Sequence, residues 1–217
     1  MHTIVPRKCT PVMAALCTLG WAVAWSLPTA ALGQSTQTAA AEETTKTAPR
    51  KPDVVYVPTP QPVVEKMLEM ADIKKGDVVY DLGCGDGRIV VTAAKKYGVK
   101  AVGFDINPER IEESLANVKA NKVEHLVTIK QADIFTLDLS GANVVTLYLL
   151  PKLNVRLMPQ LAKLKPGSRI VSHDFDMVGA KPVETHHMKL PSEHDSQDFG
   201  RYEHTIYKWI VPWEKEE

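Results

Sequence analysis

The 217-residue chain carries 26 Lys and Arg against 26 Asp and Glu, and only three cysteines. That length supports one sizeable core and little more. Balanced charge gives no electrostatic footing for a nucleic-acid partner, and so few cysteines exclude a disulfide scaffold.

Residues 1–33 form the first separable stretch. Arg7 and Lys8 precede a mostly apolar run from Val12 to Leu27, and Ala31-Leu32-Gly33 places small residues at the two cleavage-determining positions. The pattern predicts a signal peptide and an exported protein, periplasmic or secreted. An uncleaved membrane anchor over residues 11–33 is the alternative, because that run approaches the ~20 residues that span a bilayer. Without residues 1–33 the chain keeps 24 basic against 26 acidic side chains and one cysteine, Cys84, so no internal disulfide is available. Residues 34–53, rich in Thr, Ala, Gln, Glu and Lys and lacking apolar periodicity, read as a flexible linker. The folded domain is expected over residues 54–217.

Thr59-Pro60 reads as a cap followed by a first-turn proline. Val63, Val64, Met67, Leu68 and Ala71 then share one face of an amphipathic helix. The stiff segment Tyr56–Pro60 leads into this helix and also suits a lip over a bound carboxylate. Next come a short apolar strand, Val78-Val79-Tyr80-Asp81-Leu82, and three alternating glycines in Gly83-Cys84-Gly85-Asp86-Gly87. A helix over Arg88–Tyr97 follows, stopped by Gly98. Strand, glycine turn and helix make the ligand-binding corner of a doubly wound α/β sheet. Arg88 stands where the dinucleotide pattern G-x-G-x-x-G needs its third glycine. The spacing D-x-G-x-G-x-G brings ligand and backbone close, and Asp81 suits an ammonium group better than a pyrophosphate.

Ala101–Asp105 reads as a second buried strand ending in an acid 24 positions after Asp81, close to the ~20-residue offset of a ribose-binding carboxylate. Asn107-Pro108 opens a helix whose expected buried edge is Ile111, Leu115 and Val118. A third strand at Leu126–Lys130 leads to Asp133, placed to accept from an adenine amino group with Ile106 and Ile134 flanking the ring. Three strand-end acids in series, Asp81, Asp105 and Asp133, point to an adenosyl ligand.

Asn143–Pro151 is the most apolar stretch and is expected at the centre of the sheet, with Tyr148 at its ligand-facing end. Leu153, Leu157, Leu161 and Leu164 mark a helix that Pro159 should kink or restart. Arg169–Phe175 reads as a fifth strand carrying His173 and Asp174 to the same crevice. Residues 178–200 read as a solvated loop. Its His186, His187 and His194 show no familiar zinc spacing, so no metal is expected. Tyr202–Val211 reads as a last strand, antiparallel at or near the edge.

The run Asp81–Arg88, the strand-end Asp105 and Leu164-Lys165-Pro166-Gly167 resemble a class I S-adenosylmethionine-dependent methyltransferase, over about Val54 to Trp213. Tyr56-Val57-Pro58-Thr59-Pro60 and Thr146–Pro151 are similar to a smaller family within that class. It includes the membrane-associated protein-lysine methyltransferases of the mitochondrial ATP synthase c subunit and the ADP/ATP carrier. The resemblance implies a Rossmann-like, seven-stranded, mostly parallel α/β sheet with helices on both faces. It also implies S-adenosylmethionine as cofactor and a protein substrate, membrane-associated as in those relatives; a monomer is expected. By position, Asp81, Gly83, Gly85, Asp86 and Gly87 would hold the methionine moiety and Thr59 the carboxylate end. Asp105 would take the ribose, and Asp133 with Ile106 and Ile134 the adenine.

A lysine acceptor, with a reference pKa of about 10.4, must lose a proton before it can attack. Tyr148 and Asp174 are the groups expected to assist. A domain of roughly 160 residues without an inserted lid favours a macromolecular acceptor. A methyltransferase for a lipid, quinone or other small molecule, and a non-catalytic S-adenosylmethionine binder, are the alternatives.

Overall fold

Among the described residues, six of seven strands and all four helices follow from the apolar runs that the chain spaces with glycines, prolines and acids. The computed structural model describes residues 51, 55–191 and 203–216, all within one compact unit, Lys46–Glu217. Residues 1–33, most of the 34–53 segment, His194 and Tyr202 lie outside the described residues. In chain order the elements are α1 (Gln61–Met70), β1 (Val78–Leu82), α2 (Arg88–Tyr97), β2 (Lys100–Asp105), α3 (Pro108–Ala120) and β3 (Val127–Gln131). After a single 3-10 turn at Ile134–Thr136 come β4 (Val144–Leu147), α4 (Pro151–Leu161), β5 (Arg169–His173), β6 (Glu184–Lys189) and β7 (Glu203–Ile210). No helix among the described residues is long and apolar enough to cross a membrane.

The strands lie in the order β3-β2-β1-β4-β5-β7-β6. The first five are parallel, and β7 runs antiparallel between β5 and β6. The direction of travel across the sheet reverses between β1 and β4, the switch point where such folds open a ligand crevice. Alternate residues divide the core between the two faces. Val79, Val144 and Val171 join α1 and α2 in one cluster, while Val145, Ile170 and Trp209 join α4 in the other.

Four expectations change in the folded chain. Thr59 does not cap α1: Pro60 is the N-cap, without a side-chain hydrogen bond, and the Thr59 hydroxyl meets His173 Nδ1 at 3.3 Å. Leu115 is 50% exposed, and the fully buried positions of α3 are Ser114 and Val118. Pro159 does not restart α4, which runs on through it to Leu161: it lies in the last turn, and both it and Val155, whose carbonyl loses its donor, face solvent. The stretch expected as a loop contains β6, which moves β7 one place in from the edge. Its sequence, Glu184-Thr185-His186-His187-Met188-Lys189, is mostly exposed, so pairing with β7 rather than apolar alternation defines it.

Candidate active site

A crevice of about 250 Å³ opens at the C-terminal ends of β1, β2 and β4. It is lined by Thr59, Asp81, Gly83, Asp86, Asp105, Ile106, Asp133, Ile134 and Tyr148. Nine of the twelve expected site residues therefore converge on one cavity. The other three, Gly85, Gly87 and Asp174, are placed differently.

Asp81 is the deepest acid, only 2% exposed. In register with it on β4 is Thr146, whose hydroxyl donates to Asp81 Oδ1 at 2.7 Å. Asp81 Oδ2 is buried without a hydrogen-bond partner among the described residues. Burial pushes its pKa up to about 7, and the carboxylates of Asp105 and Asp86 add to the rise against the Thr146 hydrogen bond. A buried acceptor oxygen facing a cavity calls for a donor, and a cationic one restores the ionised state.

Asp105 closes β2 and ties down the turn. Its Oδ2 accepts from Gly85 N at 3.0 Å and its Oδ1 from Asn107 N at 2.9 Å. Each oxygen has a second lone pair for a ribose hydroxyl. Asp133 caps the 3-10 turn by accepting from Phe135 N at 3.0 Å, and Ile106 and Ile134 stand beside it in the wall. This chemistry fits S-adenosylmethionine: an acceptor for its ammonium, a carboxylate for its ribose, and an acid between two isoleucines for its adenine.

Two of the three glycines make room for protein side chains. A Cβ on Gly85 would lie 2.1 Å from Tyr56 Cε2, so the missing side chain makes room for the Tyr56 ring. Gly87 caps α2 in left-handed backbone (φ 76°), and a Cβ there would meet Ser114 Cβ at 3.0 Å. Of the three, Gly83 is the one that lines the crevice.

Asp86 is partnered by the protein itself. Arg88 binds both of its oxygens, with Nη2 to Oδ2 at 2.7 Å, and Arg88 Nη1 also donates to the Thr59 carbonyl at 2.8 Å. Burial opposes ionisation of Asp86, but its hydrogen bonds and charge contact with Arg88 win and hold its carboxyl below the usual range. Tyr56 lies beside this pair under the Arg110 guanidinium, 4.8 Å from the ring centre. Burial, then the Asp86 charge, pushes its hydroxyl up to about 12. Cys84 also lines the crevice, but burial drives its thiol pKa upward, as do Asp81 and Asp105, which makes it unreactive.

Tyr148, Leu149 and Leu153, which follow β4, also wall the crevice. Regular pairing of β4 ends at Leu147, so Tyr148 leaves the sheet and turns its ring onto His173, 4.0 Å between centres. Phe175 stacks at 6.0 Å behind. Asp174 is not part of this wall. Its side chain is 7% exposed, Oδ1 accepts from Thr205 N at 2.9 Å, and Oδ2 faces the imidazoles of His173 and His204. That placement removes it from contact with an acceptor in the crevice.

Sequence reasoning missed Thr146, Arg88, Arg110 and Asn154. Thr146 had a readable signal, a lone hydroxyl inside a fully apolar strand. Arg88 stands two positions from Asp86, which it binds; Arg110 and Asn154 had no signal, since they reach Tyr56 and Phe175 across 21 or more positions.

Residues 81–184 match the model of the ANTKMT methyltransferase domain. A protein-lysine N-methyltransferase of Saccharolobus islandicus (strain REY15A) is 48% identical over 162 residues, covering 74% of this chain and 95% of the relative. The Rattus norvegicus lysine N-methyltransferase of the ATP synthase c subunit is 30% identical over 166 residues, 73% of this chain and 74% of the relative. A crystal structure described as an RNA methyltransferase from Salinibacter ruber, in complex with S-adenosyl-L-homocysteine, is 45% identical. It covers 74% of this chain and 97% of that one at a TM-score of 0.64.

Proposed function

The chain belongs to this family of S-adenosylmethionine-dependent methyltransferases, and on that premise we propose that it methylates the side-chain amine of a protein lysine. The observation that carries the reading is one crevice walled both by acids, Asp81, Asp105 and Asp133, and by Tyr148, Leu149 and Leu153.

When bound, the cofactor supplies a methyl group already activated on a sulfonium sulfur. Asp81 takes the ammonium of its amino-acid end, Asp105 the ribose, and Asp133 with Ile106 and Ile134 the adenine. The apolar wall strips water from an entering lysine, and desolvation favours the neutral amine that can attack. Tyr148, braced by His173, is the polar group of that wall and the one placed to orient the amine or accept its proton. Alignment of amine and methyl group can be worth an effective molarity of ~10⁵–10⁸ M.

An RNA acceptor is a second reading, favoured by the description of the Salinibacter relative. The zero formal charge of this chain weighs against it. Export remains part of the proposal on the strength of residues 1–33, and mass spectrometry of the mature N-terminus tests it.

Incubating the full chain with tritium-methyl cofactor and a cell lysate separates the acceptors. Label that survives ribonuclease and appears as methyllysine after acid hydrolysis supports a protein lysine. Label lost to ribonuclease supports RNA, and label in a lipid extract turns the assignment to a small-molecule acceptor. No label, with S-adenosylhomocysteine still bound in calorimetry, identifies a non-catalytic binder.

A further inference from the structure

Where β5 ends, antiparallel pairing with β7 brings three side chains from two strands to one point. His173 is the last residue of β5, Asp174 follows in left-handed backbone (φ 58°), and His204 stands on β7. His173 Nε2 lies 2.9 Å from His204 Nδ1 and 3.3 Å from Asp174 Oδ2. Asp174 Oδ2 and His204 Nδ1 are 3.6 Å apart. Both imidazoles are fully buried.

A circle through these three atoms has a radius of about 1.9 Å. An ion raised about 0.8 Å from their plane therefore sits about 2.1 Å from each, the length of a zinc–nitrogen or zinc–oxygen bond. The edges to Asp174 are longer than a charge-assisted hydrogen bond of about 2.7–2.9 Å. With the shorter edge between the two imidazoles, the three bracket the edge of about 3.3 Å expected for tetrahedral ligands.

The surroundings also match a metal centre. A ligating imidazole is usually steadied through its second nitrogen, and here His173 Nδ1 meets Thr59 Oγ1 at 3.3 Å. A ligating carboxylate is held through its other oxygen, and here Thr205 N donates to Asp174 Oδ1 at 2.9 Å.

We propose that His173, Asp174 and His204 form a divalent metal site. Two imidazole nitrogens with one carboxylate oxygen suit zinc; magnesium and calcium prefer all-oxygen shells of six or more ligands. The ion joins β5 to β7 directly behind Tyr148, outside the crevice. It fixes the wall against which the acceptor is aligned, and its binding does not depend on which acceptor is methylated. The histidines considered from spacing alone, His186 and His187 on β6, are not members of the set.

The test is elemental analysis of the full chain, purified without a polyhistidine tag, incubated with zinc and desalted. Half an equivalent of zinc or more per chain is expected for the parent and for His187→Gln. His204→Gln and Asp174→Asn should each retain about one tenth of that or less. Cobalt added to the metal-free parent should give the visible absorption of a four- or five-coordinate nitrogen–oxygen site, and zinc should raise its melting temperature. The proposal is overturned by a parent that melts cooperatively yet holds less than half an equivalent. It is equally overturned if zinc content is unchanged in both ligand variants. Because the first criterion needs only the parent, misfolding of a variant does not shield the proposal.

Discussion

In the acidic wall of the crevice, at β1–β3, each functional group comes from the tip of its own strand. The Tyr148 wall is assembled from β4, β5, β7, α4 and the segment before α1. Asp81, Asp105 and Asp133 each lie at or within two residues of the end of their strand; Asp105 and Asp133 accept from backbone N–H groups of the adjoining turns, and Asp81 from Thr146 on the neighbouring strand. His173, by contrast, meets Thr59 across 114 positions and His204 across 31. Asn154, buried in α4, donates to the carbonyls of Phe175 and Asp176 at 3.2 and 3.0 Å. The acidic wall is a set of separable binding groups, and the Tyr148 wall is one interlocked structural unit. Substitutions at the first should change ligand affinity, and at the second stability and turnover.

The largest effect is expected at Asp81. Asp81→Asn keeps the shape and removes the charge, so binding of S-adenosylhomocysteine in calorimetry should weaken about 100-fold, or about 3 kcal/mol. Stability should move the other way. In the folded, ligand-free protein Asp81 titrates at about 7, against about 4 when unfolded. Between those values the folded state binds more protons, so the Asp81 contribution falls as pH rises from about 4 to about 7. Relative to the parent, Asp81→Asn should therefore melt higher at pH 8 than at pH 4.

The same group sets a pH profile. Affinity of the parent for S-adenosylhomocysteine should improve by up to about tenfold per unit as pH rises towards 7, then level off. Asp81→Asn should be flat across that range in the same titration. A sloping variant would reassign the titration to another group.

Asp105→Asn should weaken the ligand about tenfold, because the ribose loses a charged acceptor while Gly85 N keeps an oxygen partner. Asn154→Ala should leave the dissociation constant unchanged within about twofold and cost about 1–3 kcal/mol in denaturant unfolding, since it removes the side-chain donor to the half-buried Asp176 carbonyl and one of the two donors to that of Phe175. The comparison fails if Asn154→Ala acts mainly on the dissociation constant. Tyr148→Phe is the smallest change in stability, below about 0.5 kcal/mol, yet it should lower methyl transfer about tenfold or more at unchanged ligand affinity. Unaltered turnover would leave Tyr148 as a packing residue.

Legibility follows the same division. Arg88–Tyr97 is a helix with the bounds its capping glycines and apolar spacing predict, and the seven-stranded sheet is the one implied by the resemblance. The strand-end acids occupy the crevice because a carboxylate just beyond a buried strand has no other place to go. Gly85 and Gly87 leave room that Tyr56 and Ser114 fill. The β6 strand stays hidden in the sequence because an exposed edge strand satisfies its backbone through β7 and has no need of apolar alternation. Nearness in sequence to His173 suggests the crevice for Asp174, but its carboxylate accepts from Thr205 N and faces His173 and His204 instead.

Local patterns, each spanning a dozen residues or fewer, determined the doubly wound sheet and the acidic pocket for an adenosyl ligand. Turn, cap and strand-end chemistry is written within such windows. The filling of the glycine gaps, the burial of Asp81 Oδ2 against the cavity and the meeting of His173, Asp174 and His204 were decided only in three dimensions. These depend on which distant strands become neighbours, and that is settled by close packing of the whole core rather than by any one segment.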